Sequence, residues 1–123
     1  MSNVPWDWPG SLVTRVVDGD SLVVRLTRDV GFHGTLTFDQ KLRLNRINAP
    51  AVKTVDGAVA KAFLVSILEG VGPVSIQTVK AYKYGDEWMA EITLADGSNV
   101  SDLMVTQKHA VYWDGSGPRP ADG

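Results

Sequence analysis

Two carboxylates one residue apart are the first groups in this chain that could do chemistry: Asp18 and Asp20 flank Gly19. Paired aspartates can hold a hard cation such as calcium, which takes oxygen ligands. The same Asp-Gly-Asp string is also an ordinary tight turn, because aspartate bonds its own backbone and glycine tolerates a positive φ. Arg43 offers a guanidinium fork suited to phosphate or carboxylate. Taken alone, on a strand with Asp39 and Lys41, it reads as a solvated surface residue. His33 lies in a glycine turn and His109 at a helix end, and neither stands in a metal-ligand pattern. Ser101, Asp102 and His109 have the composition of a triad, but Ser101 and Asp102 are neighbours on a helix and point apart. Tyr82, Tyr84, Trp88, Tyr112 and Trp113 could stack bases on a barrel face. Without a basic surround, packing is the favoured reading.

Composition narrows these options. The 123 residues suit one domain, and 44% hydrophobic residues suffice for a packed interior. There is no cysteine, which excludes disulfides, Cys zinc sites and a thiol nucleophile. That is compatible with a reducing cytoplasm. Lys and Arg total 12 against 14 acids, so global charge does not favour a nucleic-acid backbone as partner. No secretory leader is expected from residues 1–10, and no apolar run approaches the roughly 20 residues that span a bilayer.

The elements that must position these groups follow from periodicity. Pro5, Trp6, Trp8 and Pro9 predict a lead-in arm over residues 1–10 rather than a helix or central strand. The arm could dock its two tryptophans on the barrel or on a second copy. Ser11–Val17 and Ser21–Leu26 alternate around the Asp-Gly turn and predict a hairpin. Thr35–Ile47 predicts a third strand, long enough to need a bulge. Val59–Leu68 predicts an amphipathic helix that buries Val59, Ala60, Phe63, Leu64, Ile67 and Leu68, capped by Asp56 and stopped by Gly70. Val74–Ala81 and Glu87–Leu94 predict strands four and five. Val100–Ala110 predicts a second helix, burying Val100, Leu103, Met104, Gln107 and Ala110. The domain therefore runs over 11–113, with a flexible tail over 114–123. Three strands, a helix, two strands and a helix predict a mainly β chain folded as a five-stranded OB barrel.

Three segments resemble the staphylococcal nuclease (thermonuclease) family, including its small phage and actinobacterial members. They are Val16-Val17-Asp18-Gly19-Asp20-Ser21, then Leu42-Arg43-Leu44 with Ile47-Asn48-Ala49-Pro50, then Lys83-Tyr84-Gly85 followed by a strand, Ala95-Asp96-Gly97 and a helix. The match covers about residues 11–113. The resemblance implies a phosphodiesterase site with calcium between two carboxylates, a general-base Glu and two phosphate-clamping arginines. Charge builds on the non-bridging oxygens during attack, so a hard cation and guanidinium forks are useful there.

Carried over by position, Asp18, Asp20 and Arg43 are present. Asn48 stands where a second metal carboxylate is implied, so calcium would be weakly held or absent. Ala51 stands where the base is implied, and Asp86, followed by Glu87, where the second arginine is implied. A lost base costs about 10²–10⁴ in rate, and a lost transition-state donor about 10²–10³. The resemblance thus implies a nuclease homologue with a degenerate site, acting as a binding or structural module for a protein, a nucleic acid or a nucleotide. Lys83, Tyr84 and Tyr112 are candidate binding residues. Arg43 is expected to pair with Asp20 or capture an anion. The alternative is a live calcium-dependent phosphodiesterase with a rearranged site. The expected setting is the cytoplasm, or a host cytoplasm or virion for a phage-encoded chain.

Overall fold

The computed structural model describes residues 6–82 and 85–114. In chain order the elements are β1 (Trp6–Asp18), β2 (Ser21–Gly31), β3 (Gly34–Leu44), β4 (Ile47–Asn48), α1 (Val55–Leu68), β5 (Val74–Ala81), β6 (Trp88–Thr93), α2 (Val100–Thr106) and β7 (Val111–Tyr112). Five strands close a barrel in the order β1-β2-β3-β6-β5, while β4 and β7 form a separate two-stranded pair. The β3–β6 contact is parallel and the other pairings are antiparallel. This is the mainly β, OB-like barrel expected, with one helix between β3 and β5 and a second after β6.

Alternation along each strand sends one row of side chains inward. Leu22, Val24 and Leu26 of β2, Leu42 and Leu44 of β3, Ile76 of β5 and Ala90 and Ile92 of β6 are all fully buried. Helix α1 adds Ala60, Leu64 and Leu68 to the same core. Gly19 sits where this helix packs on the first hairpin. A Cβ there would lie 2.8 Å from Ala49 Cβ and 2.9 Å from Ala60 Cβ, so glycine is required for the close approach.

The arm expected over residues 1–10 is corrected for its described part. Strand β1 begins at Trp6 and pairs with β5, Trp6 opposite Thr78 and Trp8 opposite Ile76. Pro9 is accommodated because the register shifts between Trp8 and Ser11, with Gly10 at φ +75°. Trp8 is buried; its Nε1 donates to Thr78 Oγ1 at 2.9 Å. Its ring meets Phe38 edge-on, and Phe38 meets Trp88 the same way. Trp6 is half-exposed, stacked on Trp8, with the Arg28 guanidinium 4.4 Å from its ring centre. The two tryptophans therefore pack on their own barrel. Residues 1–5 lie outside the described residues.

Three further differences have local causes. The third strand stops at Leu44, turns through Arg46 at φ +71°, and resumes as β4. Helix α1 begins a turn early, because Thr54 Oγ1, not Asp56, caps it by accepting from Gly57 N–H at 3.0 Å. Val59 lies on the exposed side, because the buried stripe of α1 runs through Ala60, Leu64 and Leu68. Helix α2 ends at Thr106 and leaves Gln107 exposed, since the chain must turn to start β7.

Candidate functional site

The β1–β2 turn, the end of β3 and the start of β4 converge on one buried ionic cluster. Asp20, Arg43 and Asn48 are each 2% exposed or less. Arg43 lies between fully buried Leu42 and Leu44, so alternation along β3 turns it to the opposite face of the sheet, where it is itself buried. Its Nη1 lies 3.1 Å from Asp20 Oδ2, and its Nη2 donates to Asn48 Oδ1 at 2.8 Å and Ile47 O at 3.4 Å. The guanidinium carbon lies 4.8 Å from the Tyr82 ring centre and 5.8 Å from that of Trp113. Both rings are largely buried, so they serve as packing walls for a cation.

The turn itself fixes Asp20. Asp18 Oδ1 accepts from Asp20 N–H at 3.1 Å, Ala49 N–H donates to Asp20 Oδ2 at 2.9 Å, and Ser21 Oγ donates to Asp20 Oδ1 at 3.4 Å. Burial first, and then the hydrogen-bonded carboxyl of Asp18, raise the Asp20 pKa to about 7 against the pull of Arg43.

A calcium ion would need charged oxygens turned toward one point; here Asp20 Oδ2 and Asn48 Oδ1 both face the guanidinium. A fixed positive group already occupies the place between them. Arg43 Nε has no hydrogen-bond partner among the described residues.

A scan against protein-family models finds no match to this chain, and a search of curated proteins finds none either.

The other predicted positions lie apart from this cluster or outside the described residues. Ala51 is exposed, and its carbonyl accepts from Thr54 N–H and Thr54 Oγ1. Asp86 is exposed and pairs with Lys41 at 3.4 Å. Lys83 and Tyr84 fall outside the described residues. Tyr112 is exposed and donates its hydroxyl to Asp102 Oδ1 at 3.0 Å. His33 lies on the β2–β3 turn at φ +61°. His109 stacks against Phe63 with ring centres 4.7 Å apart. Ser101 Oγ is buried without a described partner, while Asp102 bonds Arg46, so no triad forms.

Sequence reasoning missed a second network centred on Arg46. Its guanidinium donates to both Glu91 oxygens at 2.8 and 3.0 Å, to Asp102 Oδ1 at 2.9 Å and to Asn99 Oδ1 at 3.2 Å. Asn45 and Asn99 also donate to Glu91. Burial raises the Glu91 pKa, but the bonds from Arg46, Asn99 and Asn45 outweigh it and leave the carboxyl below its usual range. The bond from Arg46 likewise lowers Asp102. This network ties the β3–β4 turn to β6 and α2. No local sequence pattern announces it, since Arg46 is 45, 53 and 56 residues from Glu91, Asn99 and Asp102.

Proposed function

We propose that this chain is a catalytically silent relative of the staphylococcal nuclease fold, working as a binding module for a protein partner. One observation carries the reading: the Arg43 guanidinium is buried against Asp20 Oδ2 and Asn48 Oδ1. The groups that the resemblance assigns to metal and phosphate are committed to each other. Such a self-neutralised cluster works as a structural pin. Ala51 supplies no base, and Asp86, where the resemblance implies the second arginine, pairs with Lys41 instead.

A protein partner is favoured over nucleic acid on charge. The formal net charge is −2. Arg25, Arg43 and Arg46 are all engaged in ion pairs, which leaves fewer cations for phosphates. Among the described residues no helix is long and apolar enough to cross a membrane.

The direct test incubates the purified chain with single-stranded DNA and with RNA in calcium. No cleavage above that of the isosteric Asp20→Asn variant is expected. Calcium-dependent cleavage that disappears in Asp20→Asn would establish a live phosphodiesterase instead.

A further inference from the structure

We infer that the outer edge of β7, with the groove beside it, docks an extended peptide strand carrying an aliphatic side chain and a nearby carboxylate. This inference rests on reading the chain as a module for a protein partner, and it names the surface and the mode.

The edge follows from register. Trp113 N–H donates to Arg46 O at 2.7 Å, while Ile47 pairs with Tyr112 and Asn48 with Val111. Bonded and non-bonded pairs alternate along an antiparallel ladder. Arg46:Trp113 and Asn48:Val111 are therefore the bonded pairs, and Ile47:Tyr112 is not. The carbonyl of Ile47 accordingly turns away from β7, toward Arg43. By the same alternation the N–H and C=O of Tyr112 point away from β4. Among the described residues β4 is the sole sheet neighbour of β7. Val111 and Tyr112 are both exposed. An exposed strand edge is a template for one more strand, and main-chain bonds then supply affinity without sequence demand.

The groove supplies the sequence demand. A cavity of about 660 Å³ runs beside β7 between the start of α1 and the end of α2. Pro50, Val59 and Val105 line it together with β7. Val59 and neighbouring Val55, one turn apart on the same side of α1, are 51% and 81% exposed. Side chains of an added strand alternate, so every second one would enter this groove. The polar lining is Lys108 and His109 at the α2 end and Asp56 at the α1 end. An acidic side chain near Lys108 complements that end, and placing it there keeps it away from Asp56. A nucleic acid would meet the groove with ribose and phosphate, which match neither the aliphatic wall nor the strand edge.

An array of synthetic heptapeptides tests this with the full chain. One set has a central Val, Leu or Ile with Glu two residues away; control sets have Ser at the centre or Lys in place of Glu. The aliphatic–acidic set is expected to bind, and Val59→Glu to weaken it at least tenfold. Tyr112→Pro removes the outward N–H of the edge together with the phenol that bonds Asp102 and should weaken binding as much, whereas Tyr112→Ala, which lacks the phenol but keeps the N–H, should bind like the parent. Should Tyr112→Pro fail to fold, hydrogen exchange on the parent gives the same information: bound peptide must slow the Tyr112 amide. The inference is overturned if no peptide binds, if binding leaves that amide unchanged, or if oligonucleotides protect it and peptides do not. Nuclease activity in the separate cleavage assay would remove the silent-module reading and leave the peptide result standing on its own.

Discussion

Nη2 of Arg43 donates to Oδ1 of Asn48 at 2.8 Å, while Nη1 of the same guanidinium stands 3.1 Å from Oδ2 of Asp20. One cation thus takes an oxygen from each of the two residues that flank it. Removing Asp20 would strand that cation in the interior. At pH 8, where Asp20 is ionised, Asp20→Ala is expected to cost about 3–5 kcal/mol in urea unfolding, the usual penalty for an orphaned buried charge. The double variant Asp20→Ala/Arg43→Met should recover part of the loss. Additive penalties in the double variant would contradict the pairing.

The raised pKa of Asp20 has a sign that can be checked. Its value is 3.8 unfolded and about 7 folded. Between these pH values the folded chain holds a proton that the unfolded chain has released, so stability falls as pH rises through the window. Glu91 and Asp102 act oppositely. Their folded values are lowered, so their contribution is lost as pH falls below their ordinary range. Stability should peak on the acid side of neutrality. Asp20→Asn should flatten the limb above that peak when urea midpoints are followed from pH 4 to 8.

Arg46→Ala removes the hub that joins Glu91, Asp102 and Asn99. A loss of about 1.5–3 kcal/mol is expected, in the range for hydrogen bonds to charged groups. Arg46→Lys should recover less than half of it, because an ammonium cannot bridge both Glu91 oxygens and reach Asp102. The left-handed backbone at φ +71° strains all three residues alike, so it cancels in the comparison. Equal stability of the Lys variant and the parent would show that charge alone matters.

Gly57 lies in the first turn of α1, where alanine is ordinarily better by about 1 kcal/mol. Here a Cβ would overlap the carbonyl of Ala51. Gly57→Ala should therefore destabilise, lowering the thermal midpoint. A raised midpoint would mean that the Ala51–Thr54 loop yields easily.

Trp8 and Trp6 should behave differently although both are in β1. Trp8→Ala loses a buried indole and its bond to Thr78, at about 3–5 kcal/mol. Trp6→Ala removes a half-exposed ring and should cost far less. A chain starting at Ser11 is expected to unfold, because it lacks the pairing of Trp6 and Trp8 with β5. Light scattering on the point variant Trp6→Ala is thus the cleaner probe of self-association.

Much of the barrel was legible because its signals are local. The Asp-Gly turn, the alternation of β2 and the bounds Val74–Ala81 of β5 need only neighbouring residues to specify them. Trp6–Gly10 was not legible: two prolines speak against a strand, and the bulge that admits Pro9 depends on β5, some 70 residues away. The two-residue strands β4 and β7 are too short to carry a period. At the site, the inward turn of Arg43 toward Asp20 could be expected from the resemblance. The capture of Asn48 by the same guanidinium could not, because an amide oxygen is equally suited to a metal or to a donor.

The pairing of Trp6 with Thr78 sets an order of events during synthesis. The first described strand leaves the ribosome long before its barrel partner β5 exists. Until then both edges of the β1–β2–β3 sheet are bare, and Trp8 lacks Thr78 beneath it. Closing so distant a contact is slow, and exposed edges in half-made sheets invite aggregation. Yield in cells should therefore respond to translation rate and to chaperones that shield nascent chains more strongly than the stability of the finished barrel would suggest.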